Sequence, residues 1–490
     1  MNIRYSICTI FKLLLSLSVL CVLTLLWNVG LIQSKLNDAQ FVFECDSNGC
    51  SNVNNEKIGQ EEAKRSLDDD LNLSSKSAIF GYENENDSNN DYVKTISVFK
   101  APLTLDQSAD ALLETSSCEA VRRRVLNNLL EPTETELQFP IAFARIVYKD
   151  YILQELLFKM QYAPQNRFCY ILDKKARPLF KQQMRNLANC FPNVVILADR
   201  QWTVDSAGHN MLSAFMECLR LLLQTDSEWK YAITLQNHDI PLRTGFELVN
   251  ALKALNGSND VSVLQAIPDR IPKYANWTYK ALHLFKDESK NDLRTLEITK
   301  GSSTCSLSRA FVDFIVNDLN LKTFIRLFNR MHYGVDEMLF ATLQSSDELD
   351  APGGYTTKCL ETFGGYITRC VYLHPISVHN FRRVIWQNPN QKQQDQPMPC
   401  KSGMERHRVC ILGVADLADL DSSRFLFANK MMPEMDYSAI SCWAQRLLNR
   451  SRTQERDESL FDSHYYSHLA VVRFNRNRQF YRRNIETFRC

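Results

Sequence analysis

Two stretches of this chain put acids and other polar side chains where chemistry could be done. In Trp229–Leu242, WKYAITLQNHDIPL, an apolar run from Tyr231 to Leu235 gives way to Gln236, Asn237, His238 and Asp239. A buried parallel strand reads as a short apolar run, and ligands sit at the carboxyl ends of such strands in open α/β sheets. The segment therefore reads as a strand that delivers polar side chains to a crevice. Asp and Pro also form ordinary turns, so a plain strand-to-turn transition fits the same letters. Further on, Asp336 and Glu337 precede an apolar helical pattern. From the residues alone, acids at such a place read first as favouring the positive end of a helix.

The elements that must position these residues repeat one pattern. Apolar runs at Phe139–Tyr148, Arg167–Asp173 and Asn193–Asp199 alternate with amphipathic stretches at Lys149–Gln161, Pro178–Phe191 and Ser206–Gln224. The last of these leads into the Trp229 segment. Thr244–Leu255 then reads as a helix and Val261–Ile267 as a strand. Strands alternating with helices of this length imply βαβ units, a mostly parallel sheet and the α/β class. Right-handed crossovers restrict the topology further.

With 490 residues the chain can hold one large domain or two, and a formal net charge of +1 gives no general affinity for nucleic acid. Residues 11–32 are almost wholly apolar and long enough to cross a bilayer, with residues 1–10 as a short cytoplasmic tail. Arg4 and Lys12 at the start favour a cytoplasmic N-terminus, and no small-residue cleavage site follows. The segment reads as a signal anchor, which places the body in the secretory pathway. Residues 33–117 are rich in Asn, Asp, Glu, Ser and Lys and read as a largely disordered stem. Residues 451–490 form an Arg-rich C-terminal tail with Phe and Tyr interleaved, read as solvated or docked. No cysteines have CxxC spacing, so a disulfide framework is expected in this compartment. Sequons at Asn72, Asn86, Asn256, Asn276 and Asn449 are possible glycan sites.

An ordered series of segments carries a resemblance. FPIAFARIV, YAPQNRFCYILDKKA, LANCFPNVVI and WKYAITLQNHDIPL are followed by KGSSTCSLSRAFVDFIV, YGVDEMLFATLQ, RVCILGVADL and FLFANK, with Cys442 beyond. From about Cys118 to Cys442 the chain resembles the core-2/I-branching β-1,6-N-acetylglucosaminyltransferase family, which also contains peptide O-xylosyltransferases. The resemblance implies a modified GT-A, Rossmann-like fold over residues 118–450. It also implies a single-pass type II protein of the Golgi membrane with its catalytic domain in the lumen. Such an enzyme transfers a sugar from a UDP donor with inversion, to an O-glycan or glycoprotein acceptor. UDP-N-acetylglucosamine is the expected donor.

The same resemblance assigns residues. Glu337, in YGVDEMLFATLQ, corresponds to the catalytic base. The family is metal-independent, so no metal or other cofactor is expected, and basic side chains take the metal's place at the diphosphate. Lys430 of ANK is one of them. The other falls on Arg406 counted from Cys400, or on His407 counted back from Cys410, with Arg408 adjacent; Arg406 is preferred. Asp173 and Asp239 correspond to acids near the donor, and each could also be a cap or turn residue. Asp419-Leu-Asp421 matches a DxD metal motif by letter but lies far toward the C-terminus, after RVCILGVADL. Tyr372 and Trp386 fall near the expected acceptor-binding segment without aligning to it. Implied disulfides join Cys118 to Cys190, Cys169 to Cys218, Cys400 to Cys410, and Cys45 or Cys50 to Cys442. Cys359 with Cys370 is suggested by spacing alone. The expected activity is β-1,6 transfer of N-acetylglucosamine. Protein O-xylosylation on the same fold, or a catalytically inactive lectin-like relative, are the alternatives.

Overall fold

The computed structural model describes residues 117–225, 228–362, 400–407, 409–454 and 461–490, together with the backbone of short strands at Phe43–Asp46, Gly49–Asn52 and Arg382–Val384. The apolar segment 11–32, Asn72, Asn86, Cys370, Tyr372, Trp386 and Arg408 lie outside the described residues. Among the described residues no helix is long and apolar enough to cross a membrane.

The apolar runs become neighbouring strands. They are β1 (Ile141–Val147), β2 (Arg167–Asp173), β3 (Val194–Trp202) and β4 (Tyr231–Leu235). The crossovers are α1 (Tyr151–Gln161), α2 (Pro178–Cys190) and α3 (Met211–Leu223). After β4 come β5 (Asp239–Pro241), α4 (Gly245–Leu255), β6 (Val263–Gln265), β7 (Thr299–Gly301), β8 (Ser306–Ser308) and α5 (Leu339–Ser345). The chain then supplies β9 (Phe427–Asn429), α6 (Pro433–Gln454) and α7 (Ala470–Arg476).

The central sheet has the order β8-β4-β1-β2-β3. β1 is parallel to β2 and β4, and β2 to β3, while β8 is antiparallel to β4. This is a mixed α/β fold with a parallel-dominated sheet, as fits a GT-A-like architecture. Every residue of β1 is buried because both faces of the sheet are covered. Ala142, Ala144 and Ile146 pack with Phe215, Leu219 and Leu222 of α3. Ile141, Phe143 and Val147 pack on the other side with Phe180, Met184 and Leu187 of α2. Successive side chains of a strand point to opposite faces, so a continuous apolar run is what a doubly covered strand requires.

One expected boundary moves. Helix α3 begins at Met211 rather than Ser206. Asp205 Oδ1 accepts from the backbone N–H groups of Ala207 and His209, and Gly208 has φ +91°, so a turn replaces the first expected helical turn. Helix α4 starts where expected, because Thr244 and Glu247 form a reciprocal capping box.

The C-terminal residues belong to the body. Val471, Val472, Phe474 and Phe488 enter the same apolar cluster as β1 and α2. Disulfides join Cys118 to Cys190, Cys169 to Cys218 and Cys400 to Cys410. Cys359 pairs with Cys490, not with Cys370. Spacing suggested the nearer cysteine, but the docked C-terminus brings the farther one to a Cα–Cα distance of 5.5 Å. Cys442 is disulfide-bonded too, and its partner lies outside the described side chains. Cys305 is buried and carries no disulfide among the described residues, with its Sγ 3.4 Å from Thr234 Oγ1.

The Cys359–Cys490 bond spans a sequence separation of 131. Loop-closure arguments give such a link roughly 2–5 kcal/mol. Cys490→Ser is therefore expected to lower the melting temperature by several degrees, with peptide mapping of the native protein under non-reducing conditions recovering the Cys359–Cys490 pair. Free thiols at both positions in the native protein would overturn the assignment.

Candidate active site

The strand order reverses between β1 and β4. In open α/β sheets the crevice at such a switch point, outside the carboxyl ends of the strands, is where ligands bind. Here its walls are Tyr148, Lys149 and Asp150 after β1, and Gln236 to Asp239 after β4. The two segments are stitched together. Asn237 Oδ1 accepts from the backbone N–H groups of Tyr148 (2.8 Å) and Lys149 (3.3 Å). Below them the buried guanidinium of Arg145 donates to the carbonyl oxygens of Gln236 and Asp239, each at 3.0 Å, and to Gln161 Oε1.

Charged side chains converge on this crevice. Lys149 Nζ pairs with Glu434 and lies 3.4 Å from Asp150 Oδ2. Arg406 Nη1 lies 3.8 Å from the same Glu434 oxygen that meets Lys149. Arg406 sits in a short hairpin strand, whereas His407 occupies its turn with φ +53°. Asp239 is fully buried. It receives the Asn429 amide at 2.8 Å and the Gln236 N–H at 2.6 Å. Asn429 pairs with Asp239 across β9 and β5, so the next residue, Lys430, leaves the strand at the same edge.

Asp150, His238 and Glu434 bring their ligand atoms within 4.8 Å of one another. Asp150 Oδ1 and Glu434 Oε2 accept no hydrogen bond, which would suit a cation. The cation is already there: the Lys149 ammonium pairs with both acids, and His238 Nε2 is 2.9 Å from Asp150 Oδ2. A divalent ion would have to displace a neighbouring positive charge, so the donor set fits an ammonium better than a metal. The DxD letters are also accounted for. They lie in a short helix, Leu417–Asp421, with Asp419 paired to Lys401 and Asp421 held by Arg446 and Arg450. Burial works against the Asp421 charge, but those arginines keep its carboxyl below the usual carboxylate range.

Asp173 ends β2 and is buried, and both its oxygens are engaged by backbone, from Lys175 N–H at 2.6 Å and Val204 N–H at 3.0 Å. In this conformation it shapes the loop at the carboxyl edge.

Glu337 lies two residues before α5. Gly334 allows the approach of its neighbours, since a Cβ there would fall 1.2 Å from Arg270 Nη2 and 2.9 Å from Glu337 Oε2. Arg270 Nη2 and Lys300 Nζ lie 2.9 Å and 3.3 Å from Glu337 Oε2. Neither contact is aligned as a hydrogen bond, and this buried oxygen accepts none among the described residues. Asp336 is turned away, with Ser303 Oγ donating to it at 2.6 Å. Ser303 also touches Met211 Sδ, which Gln236 Nε2 reaches at 3.4 Å. A short relay of side chains therefore links the Glu337 loop to the end of β4. No ion pair among the described residues joins Glu337 directly to Arg406. A cavity of about 870 Å³ walled by Trp202, Met216, Phe285 and Ile325 includes none of these site residues.

A family model described as "Branch: Core-2/I-Branching enzyme" matches residues 141–421. The chain belongs to this family. Lys430 lies just beyond the matched span. The mouse (Mus musculus) beta-1,3-galactosyl-O-glycosyl-glycoprotein beta-1,6-N-acetylglucosaminyltransferase 4 is 30% identical over 359 residues, covering 71% of this chain and 74% of the relative. The zebrafish (Danio rerio) protein of the same name is 30% identical, over 69% of this chain and 77% of its own length. The sheep (Ovis aries) transferase 3 of that series is 29% identical, over 65% and 70%.

Sequence reading missed four residues that the fold brings to the crevice or to Glu337: Arg145, Lys149, Arg270 and Lys300. Arg145 is hidden inside an apolar run, where a lone cation could have been noticed as an anomaly. Arg270 comes from a segment with no recognisable motif, and Lys300 opens KGSSTCSLSRAFVDFIV, where nothing in the letters points to a role for it. Among the sequons, Asn256 and Asn276 are exposed, whereas Asn449 lies inside α6 and accepts from Gln445.

His238 gives a pH test. Burial lowers its pKa, and the Asp150 carboxylate only partly restores it. The unfolded chain then binds a proton at about pH 6.5 that the folded chain still refuses, so stability from this group is present above that pH and declines as pH falls toward the lower folded value. The stability advantage of wild type over His238→Gln should shrink between pH 7.5 and 5.5, by up to about 1.4 kcal/mol per pH unit below 6.5. His209, whose pKa is raised, has the opposite sign but is present in both proteins and cancels. Denaturant melts at each pH decide it; a constant or growing difference would count against a buried neutral His238.

Proposed function

We propose that the chain is an inverting, metal-independent glycosyltransferase on a modified GT-A fold. It moves N-acetylglucosamine from UDP-N-acetylglucosamine, in β-1,6 linkage, to an O-glycan of a glycoprotein. In this reading it is held in the Golgi membrane by residues 11–32 as a type II protein. Family membership and the activities named for the mouse, zebrafish and sheep relatives support the reaction class. The observation that carries the roles is Glu337 Oε2, a buried carboxylate oxygen beside the carboxyl edge of the sheet that accepts no hydrogen bond among the described residues. An oxygen in that state suits a donor brought by the substrate, namely the acceptor hydroxyl.

The step follows from the proposed roles. Glu337 takes the proton of the acceptor hydroxyl while that oxygen bonds to the anomeric carbon. The bond from that carbon to the diphosphate oxygen breaks on the opposite face, and its electron pair leaves with UDP. Lys430 and Arg406 stabilise the charge that develops there, with Lys149 as a further cation at the same crevice. Asp239 acts through Asn429 by fixing the strand from which Lys430 emerges.

With a β-1,6 acceptor, Glu337→Gln is expected to cut turnover by about two to four orders of magnitude while UDP still binds. Lys430→Ala should weaken UDP binding and slow transfer together. If Glu337→Gln transfers at a near-normal rate, the acid is only a helix-start residue. Release of UDP across a panel of UDP-sugars separates acetylglucosaminyl from xylosyl transfer, and its absence with every donor points to an inactive relative.

The absence of a metal requirement has its own test. Transfer should survive excess EDTA, and Asp419→Ala should leave it unchanged. Activity lost to EDTA and restored by manganese would return the DxD letters, or the Asp150–His238–Glu434 cluster, to consideration.

A further inference from the structure

The Glu337 loop carries more positive than negative charge. Arg270 and Lys300 are both paired to one oxygen of Glu337, and their side chains are 18% and 16% exposed. Among the described residues neither cation has a second carboxylate in ion-pair reach. Asp336, the nearest acid in sequence, is bonded to Ser303 and acts on His209. The local balance is therefore two cations against one carboxylate.

That balance worsens during the reaction. Once Glu337 accepts the acceptor's proton it is neutral, and two largely buried cations face each other without a counter-charge. Unpaired charge removed from water is costly, so a site built this way disfavours its own product-forming state unless the substrate supplies an anion. The surroundings suit a glycan that does. Tyr333 is exposed, its ring lies 5.2 Å from the Arg270 guanidinium, and Tyr274 is fully exposed on the neighbouring loop. Aromatic faces of this kind are surfaces on which a sugar ring can stack.

The geometry points to an acidic glycan as the acceptor, with a carboxylate or sulfate group close to the hydroxyl that is glycosylated, and to Lys300 as the residue that selects it. The inference rests on the reading of Glu337 as the base. Arg270 is committed by more contacts, since Nη2 also donates to the Tyr333 carbonyl at 3.2 Å. Lys300 has the freer head group and a fixed base: it lies in β7, and the next residue, Gly301, donates its N–H to the Glu337 carbonyl at 2.7 Å. Gly301 is pressed against the Ser262 carbonyl, where a Cβ would fall 1.9 Å away, so the strand cannot shift to carry Lys300 elsewhere. The anion takes the Lys300 ammonium, Arg270 remains with Glu337, and the charge is balanced before the proton moves.

The test uses the full-length chain, UDP-N-acetylglucosamine and matched O-glycan acceptors: neutral, the same glycan bearing one sialic acid, and the same glycan bearing one sulfate. The acidic members should be used with kcat/KM about tenfold or more above the neutral one, equivalent to roughly 1.4 kcal/mol. Lys300→Gln should collapse that ratio through KM, and Lys300→Arg should restore much of it. Whichever acidic member is preferred identifies the anion. Neutral acceptors used equally well, with a ratio unmoved by Lys300→Gln, would overturn the inference and leave the transferase reading standing. If wild type transfers to none of them, the transferase reading fails instead, and the inference is decided by binding of the same glycans on a surface. Binding there with no preference for the acidic members overturns it as well. Thermal melts show whether Lys300→Gln is folded; if it is not, the Lys300→Arg ratio decides.

Discussion

The crevice depends on one buried cation. Arg145 sits in the middle of β1, among side chains packed on both faces of the sheet, and its guanidinium reaches under the turn that follows β4. Burial opposes its charge and lowers its pKa, with Asp239 among the groups that offset the cost. What the cation secures is the path of residues 236–239. Two carbonyls of that turn are satisfied by it, and a buried carbonyl left unpaired would cost on the order of 1–3 kcal/mol. With the turn fixed, Asn237 can hold the backbone after β1, His238 can meet Asp150, and Asp239 can receive Asn429. Each contact aims a different charged residue, so the Arg145 clamp connects the sheet to the positions of Lys149, Glu434 and Lys430.

Charge around the crevice is arranged as it would be around a metal, but with ammonium and guanidinium groups. The acids that could have been ligands are already committed. Asp150 and Glu434 face Lys149, Asp419 faces Lys401, and Asp421 faces two arginines of α6. The DxD letters show why motif matching needs its structural context. The same three letters at the end of a central strand would present two carboxylates to a crevice. In a short helix beside α6 they are spent on holding that helix.

Much of the fold could be read from sequence because the signal was local. Four apolar runs of strand length, separated by amphipathic stretches, lead to the strands and crossovers observed. The polar residues after β4 were legible for the same reason: the change from apolar to polar is sharp and occurs within one segment. The rest was hidden where the determining contact is remote. Arg270 and Lys300 meet Glu337 only after folding; Lys300 opens a segment that carries the resemblance, but its contact with Glu337 is not written there. The pairing of Cys359 is of the same kind. Spacing favours a near partner, but a cysteine's partner is set by which elements pack together, and cysteine counts cannot supply it.

The Arg-rich C-terminal segment, read from its composition as solvated or docked, docks. Composition leaves open how its interleaved Arg, Phe and Tyr are used. In the fold the two residue types divide. Phe474 and Phe488 enter the core on one side of the sheet, while Arg478 and Arg482 meet Asp347 and Asp350 in the loop after α5. These arginines are between four-fifths and nine-tenths buried, and their charges are answered within the chain. Arg473 turns its guanidinium to the carbonyls of Arg489 and Cys490, drawing the end of the chain to the place where Cys490 meets Cys359. α5 follows directly on Glu337, and the acidic loop follows on α5. The arginines of the last helices thus restrain the far end of the same short element whose beginning carries the proposed base.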